Sequence, residues 1–407
     1  MNRNVLIVAK APVAGRAKTR LVPPLTAEQA ATLQEALLLD TLDACRAEAA
    51  DTALLHADPS EAPLLTRLVG SDVPLVLQDG RGLGDALRLG MARAVADGPT
   101  ALVSSDIPAF PPGSLERAFA LLEERAAEVV LGPALDGGYW LIAMREFSDV
   151  AFHSIPWSTP AACAVTAQRC REAGLRVAML SPWRDVDTTV DLAFLVREGG
   201  GLPAPRTART LQTLALDGAV PEPPAVRLDE SRLVLGSPWR AVLEDRLVSE
   251  AGPSSSYAYL AVPRAVFVVP VTDRGEVALV RQYRHPVRDW TLEVPAGSVE
   301  EGELPLEAAE RELLEEVGGR AREWRHLTTF YSSSAHLSLR SDAYLATGVV
   351  LEPPKPSEED IAVVRMGVDD ALARARAGTL VEGQTALALL LAAPHLHSAA
   401  RSACATS

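Results

Sequence analysis

The chain has few cysteines, no long apolar run and a deficit of basic charge. Cys45, Cys163, Cys170 and Cys404 make no CxxC pair and no disulfide framework, so reduced thiols of a cytoplasmic protein are the simplest account. No uninterrupted apolar segment approaches the roughly 20 residues that span a bilayer. The apolar run at residues 5–9 is too short for a signal peptide and reads as a strand. Lys and Arg number 39 against 53 Asp and Glu, and the formal charge of −14 argues against a nucleic-acid surface, whose affinity rests on neutralising phosphates. Phosphorylated small molecules remain open to such a chain where Mg²⁺ or local Arg and Lys residues supply counter-charge. There is no internal repeat. What is present suffices for globular folding: 48% hydrophobic residues over 407, a length that implies two domains.

One stretch stands out. Gly297 opens it, Glu303 comes next, then Arg311-Glu312-Leu313, Glu315-Glu316 and Gly318. It reads as a loop feeding a short helix that starts near Pro305, a residue tolerated in a first helical turn. At about 100° per residue, Glu312, Glu315 and Glu316 fall within an arc of roughly 100° on one face. Like charges so spaced cost a few tenths of a kcal/mol per pair unless neutralised. Hard cations such as Mg²⁺ take carboxylate oxygens as ligands, and a bound diphosphate supplies more. A solvated, charge-laced helix is the plain alternative, but it requires neither Arg311 four residues before Glu315 nor glycines at fixed ends.

The segment resembles the signature of the Nudix hydrolase family at every polar position. Gly319 stands where that signature has an apolar residue, which is expected to loosen the helix exit without removing a metal ligand. The resemblance spans about residues 225–394 and implies an α/β/α sandwich that cleaves diphosphate linkages with Mg²⁺, or Mn²⁺ in its place. It implies that Glu312, Glu315 and Glu316 hold the metal, joined by the backbone carbonyl of Ala296, and that Arg311 orients Glu303 or Glu315. Related enzymes take a general base from a loop outside the helix. Glu359, in Glu358-Glu359-Asp360, is the best candidate, against the reading that these acids solvate a turn.

The flanking runs Arg281-Gln282-Tyr283-Arg284 and Trp290-Thr291-Leu292-Glu293-Val294-Pro295-Ala296-Gly297 resemble the ADP-ribose and nucleotide-sugar pyrophosphatase branch. Arg281 and Arg284 suit bidentate phosphate contact. Strand alternation puts Arg281 and Tyr283 on one face, Gln282 and Arg284 on the other, and favours Arg284 for the pocket. Trp239 and Tyr257 are candidates for base stacking, beside plain packing. The branch's Tyr-Pro-Ser-Pro-Gly-like stretch is here Tyr331-Ser332-Ser333-Ser334-Ala335, which leaves the particular nucleotide sugar open.

Residues 1–217 alternate apolar strands (5–9, 53–57, 74–78, 101–104, 129–132) with helices (27–49, 84–96, 114–125, 160–173, 189–197), the pattern of an α/β domain with a mostly parallel sheet and ligands at the strands' carboxyl ends. Residues 218–224 read as a Pro-rich linker, 225–396 as a β-rich second domain ending in a helix at 383–391, and 397–407 as a flexible tail. After the first strand, Lys10, Gly15, Lys18 and Arg20 form a glycine-containing basic loop able to cradle an anion. Asp106 lies just past a strand, Asp136-Gly137-Gly138-Tyr139 forms an acidic loop, and Asp185 and Asp187 add carboxylates; three acids at strand ends suit one or two Mg²⁺ ions. Asp187 has a second reading as the N-cap of the 189–197 helix.

These pieces resemble the GT-A-type, Rossmann-like family of small bacterial glycosyltransferase-like proteins, distantly similar to 2-phospholactate and molybdopterin nucleotidyltransferases. Carried over, Lys10, Gly15, Lys18 and Arg20 form the nucleotide loop, Asp106 the metal acid, and Asp136 and Gly137 the acceptor side. The two resemblances together imply a bifunctional cytoplasmic enzyme acting on nucleotide sugars, with Mg²⁺ in both domains and neither nucleic acid nor membrane as partner. They also imply a homodimer through the second domain. The alternative is a Nudix sensor that binds without turnover, with an inactive nucleotide-binding domain before it.

Overall fold

A computed structural model describes residues 2–48, 51–80, 82–198, 201–214, 216, 220, 222, 225–236, 240–249, 252, 254–352 and 362–403. Contacts divide the chain into two compact units, Met1–Ala261 and Val262–Ser407.

The first unit is built on β1 (Asn4–Ala9), β2 (Asp51–His56), β3 (Leu75–Leu77), β4 (Thr100–Ser104), β5 (Val129–Pro133), β6 (Tyr139–Met144) and β7 (Val177–Met179), ordered β3-β2-β1-β4-β6-β5-β7. Only β6 runs antiparallel to its neighbours. Helices α1 (Ala27–Glu48), α2 (Ala62–Val69), α3 (Gly82–Ala94), α4 (Ser114–Glu123), α5 (Ala162–Glu172), α6 (Thr189–Glu198) and α7 (Pro205–Thr213) complete the main body. Helix α1 starts where Thr26 and Gln29 exchange hydrogen bonds between side chain and backbone N–H (2.8 and 3.2 Å), a reciprocal cap. β1 is buried on both faces: Val5 and Ile7 pack with α1 and α4 residues such as Leu38 and Phe119, while Leu6 packs with Leu87 and Met91 of α3. Strands covered on both sides read as continuous apolar runs, which is why they are visible in the sequence. The short β7, α2 and α7 are not.

A three-stranded antiparallel sheet comes next, β8 (Val226–Gly236), β9 (Ala241–Ser249) and β10 (Ser255–Ala261). The sequence pattern assigns these strands to the second domain, with the boundary at 218–224. By contacts they group with the first unit, because Ala241, Leu243 and Ala261 are buried against Ile155, Ala161, Ala162 and Val165.

The second unit comprises β11 (Ala265–Thr272), β12 (Glu276–Arg284), β13 (Asp289–Glu293), β14 (Ala296–Ser298), β15 (Gly319–Arg320), β16 (Glu323–Tyr331), β17 (Arg340–Leu351) and β18 (Ala362–Gly367), with α8 (Pro305–Val317), α9 (Val368–Arg376) and α10 (Gly383–Ala403). Its mixed sheet has the order β13-β12-β11-β17-β15, with β14, β16 and β18 pairing to β11, β17 and β12. Alternation along β11 builds the sandwich. Val266 and Val268 pack with Ala308, Ala309 and Leu313 of α8, whereas Phe267, Val269 and Val271 pack with Leu372 of α9 and Leu389 of α10. Helix α10 continues to Ala403, where the sequence suggests a flexible tail from 397.

Candidate active sites

In the second unit the sequence folds locally as its spacing predicts. Helix α8 starts at Pro305; the Glu307 carboxylate accepts a hydrogen bond from the Leu304 N–H (2.8 Å), and Gly318 ends the helix in a left-handed turn (φ 66°) with its N–H bonded to the Leu314 carbonyl (3.0 Å). Gly319 therefore does not loosen the exit as expected: it is buried against Leu313 and Val317 and pairs with Leu351. A side chain larger than glycine would have to displace Leu313, whose Cδ1 would stand 2.9 Å from a Cβ there.

Arg311 organises the carboxylates. Its Nε and Nη2 donate to Glu303 (2.9 and 3.0 Å), its Nη1 to Glu312 (2.6 Å) and Glu315 (3.2 Å), and its Nη2 also to the Ser298 carbonyl (2.8 Å). Glu315 is exposed and Glu312 buried, and Glu316 accepts the Ala296 N–H (3.0 Å), which ties strand β14 to the helix. Gly297 leaves room for Glu312: a Cβ there would lie 1.9 Å from a Glu312 carboxylate oxygen and would push that carboxylate aside. Burial raises the pKa of Glu312 even beside Arg311. Burial, with Glu312 and Glu293 close by, pushes Glu316 up to about 8 against the Ala296 N–H and Arg284. Crowded carboxylates short of counter-charge favour a cation. Among the described residues no three acids are already gathered into a metal cage, since Arg311 holds Glu303, Glu312 and Glu315. The donors are nonetheless hard carboxylate oxygens, the set that Mg²⁺ takes.

On hairpin β12–β13, Arg284 donates to both oxygens of the buried Glu293, which also accepts from Gln282 (3.3 Å) and Thr291. Burial works against the Glu293 charge, but Arg284 and Thr291 outweigh it and lower its pKa. The opposite face carries Arg281 over the Trp290 ring (4.7 Å) and Tyr283 edge-on to it (6.0 Å). Arg284 is thus paired with a carboxylate, and Glu293, its partner, stands in the Trp290–Gly297 run that the sequence marks without assigning it this role.

The first unit holds a cavity of about 240 Å³ at the carboxyl ends of β1 and β4, with Arg20, Asp136, Tyr139, Trp157, Asp185 and Asp187 in its lining. Four separate segments meet here. The Val186 N–H donates to the Asp106 carbonyl (2.9 Å), and the Trp183 and Leu135 backbones bond across to Pro133 and Trp183 (2.9 and 3.0 Å), bringing residues 183–187 beside the 133–138 loop. Lys18, left-handed (φ 49°) and with its side chain 2% exposed, puts its ammonium 3.0 Å from Asp106 and 3.1 Å from Asp187. It is a buried counter-ion for two acids, where the sequence places it free in the nucleotide loop. Burial opposes charge on both partners; Asp106 and Asp187 still raise Lys18, and Lys18 and Lys10 still lower Asp106. Gln34, buried on α1, donates to the Lys10 carbonyl (3.5 Å) and to Ser105 Oγ (3.4 Å), fastening this corner.

Asp136 accepts the Gly138 N–H (2.8 Å), and burial together with Asp187 and Asp191 raises its pKa. Asp185 is pushed up to about 9 by burial, then by Asp136, Asp187 and Asp191. Asp187 is not the cap of α6: Thr188 takes that place, its N–H and hydroxyl both donating to Asp191 (2.8 and 2.7 Å). Arg20 lies 3.6 Å from Asp187, Lys10 is exposed, and Gly15 (φ 78°) and Gly137 (φ 89°) take left-handed turns.

Residues 261–382 match the NUDIX domain family, and residues 41–159 match the family described as "Uncharacterized protein conserved in bacteria (DUF2064)". The chain is 34% identical over 141 residues to an ADP-ribose pyrophosphatase of Bacillus subtilis, covering 34% of this chain and 76% of that protein. It is 36% identical over 208 residues to a phosphoenolpyruvate guanylyltransferase of Geodermatophilus obscurus, covering 48% of this chain and 88% of that protein. The chain belongs to both the Nudix and the DUF2064 families.

A crystal structure assigned as a nucleotide-diphospho-sugar transferase from Desulfovibrio desulfuricans G20 covers 54% of this chain and 97% of its own, with a TM-score of 0.50 and 29% identity. The protein is therefore an enzyme, a Nudix hydrolase carrying a transferase-type DUF2064 domain. In the Nudix unit, Glu303, Arg311, Glu312, Glu315 and Glu316 come together with Ala296 and Gly297, while Arg281 faces Trp290 on the other side of the hairpin. Tyr257 lies on β10, grouped with the DUF2064 unit. Trp239 and Glu358-Glu359-Asp360 lie outside the described residues. In the DUF2064 unit Asp106, Lys18, Arg20, Asp136 and Asp187 meet. Asp185, which the sequence offers beside Asp187, lines the same cavity, while Gln34 and Trp157 join without a spacing signal that could have singled them out. No described helix is long and apolar enough to cross a membrane.

Proposed function

We propose that the protein is a bifunctional enzyme of nucleotide-sugar chemistry. Its Nudix unit hydrolyses the diphosphate of ADP-ribose or another nucleotide sugar: water adds to one phosphorus, and the bridging oxygen leaves with the other phosphate, giving a nucleoside monophosphate and a sugar phosphate. Glu312, Glu315 and Glu316, with the Ala296 carbonyl, would hold Mg²⁺. When bound, that ion polarises phosphoryl oxygens and lowers the pKa of water. Arg311 keeps Glu303, Glu312 and Glu315 in register, and Gly297 leaves Glu312 room to face β14. The observation that carries this reading is the gathering of Glu312 and Glu315 on the one Arg311 brace, with Glu316 tied to the Ala296 N–H beside them.

The DUF2064 pocket transfers a nucleotidyl or glycosyl group from a related nucleotide. Asp106, Asp136, Asp185 and Asp187 offer hard donors for a nucleotide-bound cation, and Arg20 faces the same cavity. The mixture of three lining acids, Asp136, Asp185 and Asp187, with a single lining arginine suits a ligand that arrives with its own divalent ion. The test is a nucleotide-sugar panel with the full-length protein and Mg²⁺, with products read by mass spectrometry. Cleavage to a monophosphate and a sugar phosphate is expected. A panel left uncut would sink the hydrolase reading.

A further inference from the structure

Val294 and Pro295 cross between two strands that pair in different places. β13 ends at Glu293 against β12, and β14 begins at Ala296 against β11, so the crossing has no ladder of its own. Pro295 has no N–H, which leaves the Val294 N–H as the one backbone donor of the crossing. Val294 is buried, and a buried amide has to find an acceptor. It donates to the hydroxyl oxygen of Thr385, 91 residues further along the chain and itself fully buried (3.0 Å). Thr385 is fixed in turn at the start of α10, where the Glu382 carboxylate accepts its N–H (2.6 Å) and that of Gln384 (3.2 Å).

The neighbouring residues are tied to other elements. Glu293 is held by Arg284 of β12, the Pro295 carbonyl accepts the Val268 N–H of β11 (2.9 Å), and the Ala296 N–H donates to Glu316 of α8 (3.0 Å). Four consecutive residues are thus anchored to β12, α10, β11 and α8. Pro295 has its φ locked by its ring, so a shift at Val294 is carried on to the Ala296 peptide with little to absorb it.

We propose that Thr385 is a positioning residue of the Nudix metal site: through Val294 it sets the Ala296 carbonyl and Glu316 against the cation. The inference rests on the reading that Ala296 and Glu316 hold Mg²⁺. Thr385 acts through the backbone and touches neither cation nor substrate. Loss of the hydroxyl leaves the Val294 N–H buried without a partner, and the crossing moves to relieve it.

The experiment is a series of decreasing acceptor strength at one position, Thr385→Ser, Thr385→Cys and Thr385→Val, in the full-length protein. Mn²⁺ binding is followed by electron paramagnetic resonance without nucleotide, and Glu316→Gln defines the binding that does not belong to the Nudix site. Thr385→Val is expected to weaken the Nudix-site Mn²⁺ affinity by about tenfold, below the about 10²-fold cost of a 1 Å misplacement. Thr385→Ser should stay within about twofold of wild type and Thr385→Cys fall between, on the same acceptor argument. In ADP-ribose hydrolysis the Mg²⁺ concentration for half-activation should rise in the valine variant while KM at saturating Mg²⁺ holds. Melting temperature does not discriminate, because a purely structural hydrogen bond lowers it as well. If Thr385→Val cannot be isolated folded, the cysteine and serine variants carry the comparison. Wild-type Mn²⁺ affinity in the valine or cysteine variant, with the site lost in Glu316→Gln, overturns the role of Thr385 and leaves the metal reading intact. So does a serine variant as weak as valine, since packing and not the hydroxyl would then be at work. Identical Mn²⁺ binding by wild type and Glu316→Gln overturns both.

Discussion

The two candidate sites hold their carboxylates on a cation in opposite ways. In the Nudix unit one arginine, part of the same helix as its partners Glu312 and Glu315, serves these two and Glu303, and it is about a quarter exposed (23%). In the DUF2064 unit a lysine with only 2% of its side chain exposed bridges Asp106 and Asp187, which stand far away in the chain. The first arrangement is written by helical spacing and tolerates solvent. The second exists only because strand ends from β1 and β4 and the segment before α6 converge, and loss of the lysine leaves Asp106 without its ion-pair partner while Asp187 keeps Arg20.

That contrast can be broken at several points, with effects that run from large to small. Glu316→Gln should lower hydrolysis by about 10²–10³-fold or more, the scale seen when one charge-stabilising group is removed from a site. Turnover within about tenfold of wild type at saturating Mg²⁺ would remove Glu316 from the ligand set. Lys18→Met should destabilise the DUF2064 unit by about 1–3 kcal/mol, less than a fully buried pair that loses one partner, because Asp106 and Asp187 are only partly buried and Asp187 keeps Arg20. Denaturant melts monitored alongside hydrolysis should show the first unit failing before the second. An unchanged midpoint means that solvent and Arg20 compensate Asp106 and Asp187 without the lysine. Gly297→Ala should cut hydrolysis by about 10²-fold through displacement of Glu312, the cost of about 1 Å of misplacement; a fully active variant shows that the Glu312 position is not critical.

The smallest effect concerns pH. The Glu293 carboxyl has a folded pKa below its unfolded one, so its stabilising contribution is complete above the ordinary carboxylate range and is lost as pH falls through the folded value. Glu293→Gln should flatten the acid limb of the Nudix unit's stability curve. A variant whose acid unfolding retains the wild-type slope shows that the charge on Glu293 contributes nothing there.

Much of this is legible in the residues, unevenly. The strands of the first sheet are visible as apolar runs, and helix α8 can be placed to its first residue because Pro305 and Gly318 mark its ends. Short elements such as β14, β15 and α9 carry too few residues for periodicity to register. The pairing of Lys18 is not legible in the sequence because nothing in a loop's composition tells whether an ammonium faces solvent or two partly buried acids. Asp187 looks like a helix cap for a similar reason, since Thr188 one position later satisfies the same end.

By itself the sequence determined whatever depends on fixed spacing. The glutamates share one face of α8 because the helix advances by a constant angle, and Arg311 reaches Glu315 because residues four apart are neighbours. Tertiary structure decided everything that depends on which distant segments meet: Arg284 on Glu293, Lys18 between Asp106 and Asp187, and the grouping of β8–β10 with the first unit. The partners those meetings supply then hold Glu293, Asp106 and Lys18 in their charged forms against burial, because an opposite charge a few ångströms away outweighs the desolvation that covering them costs.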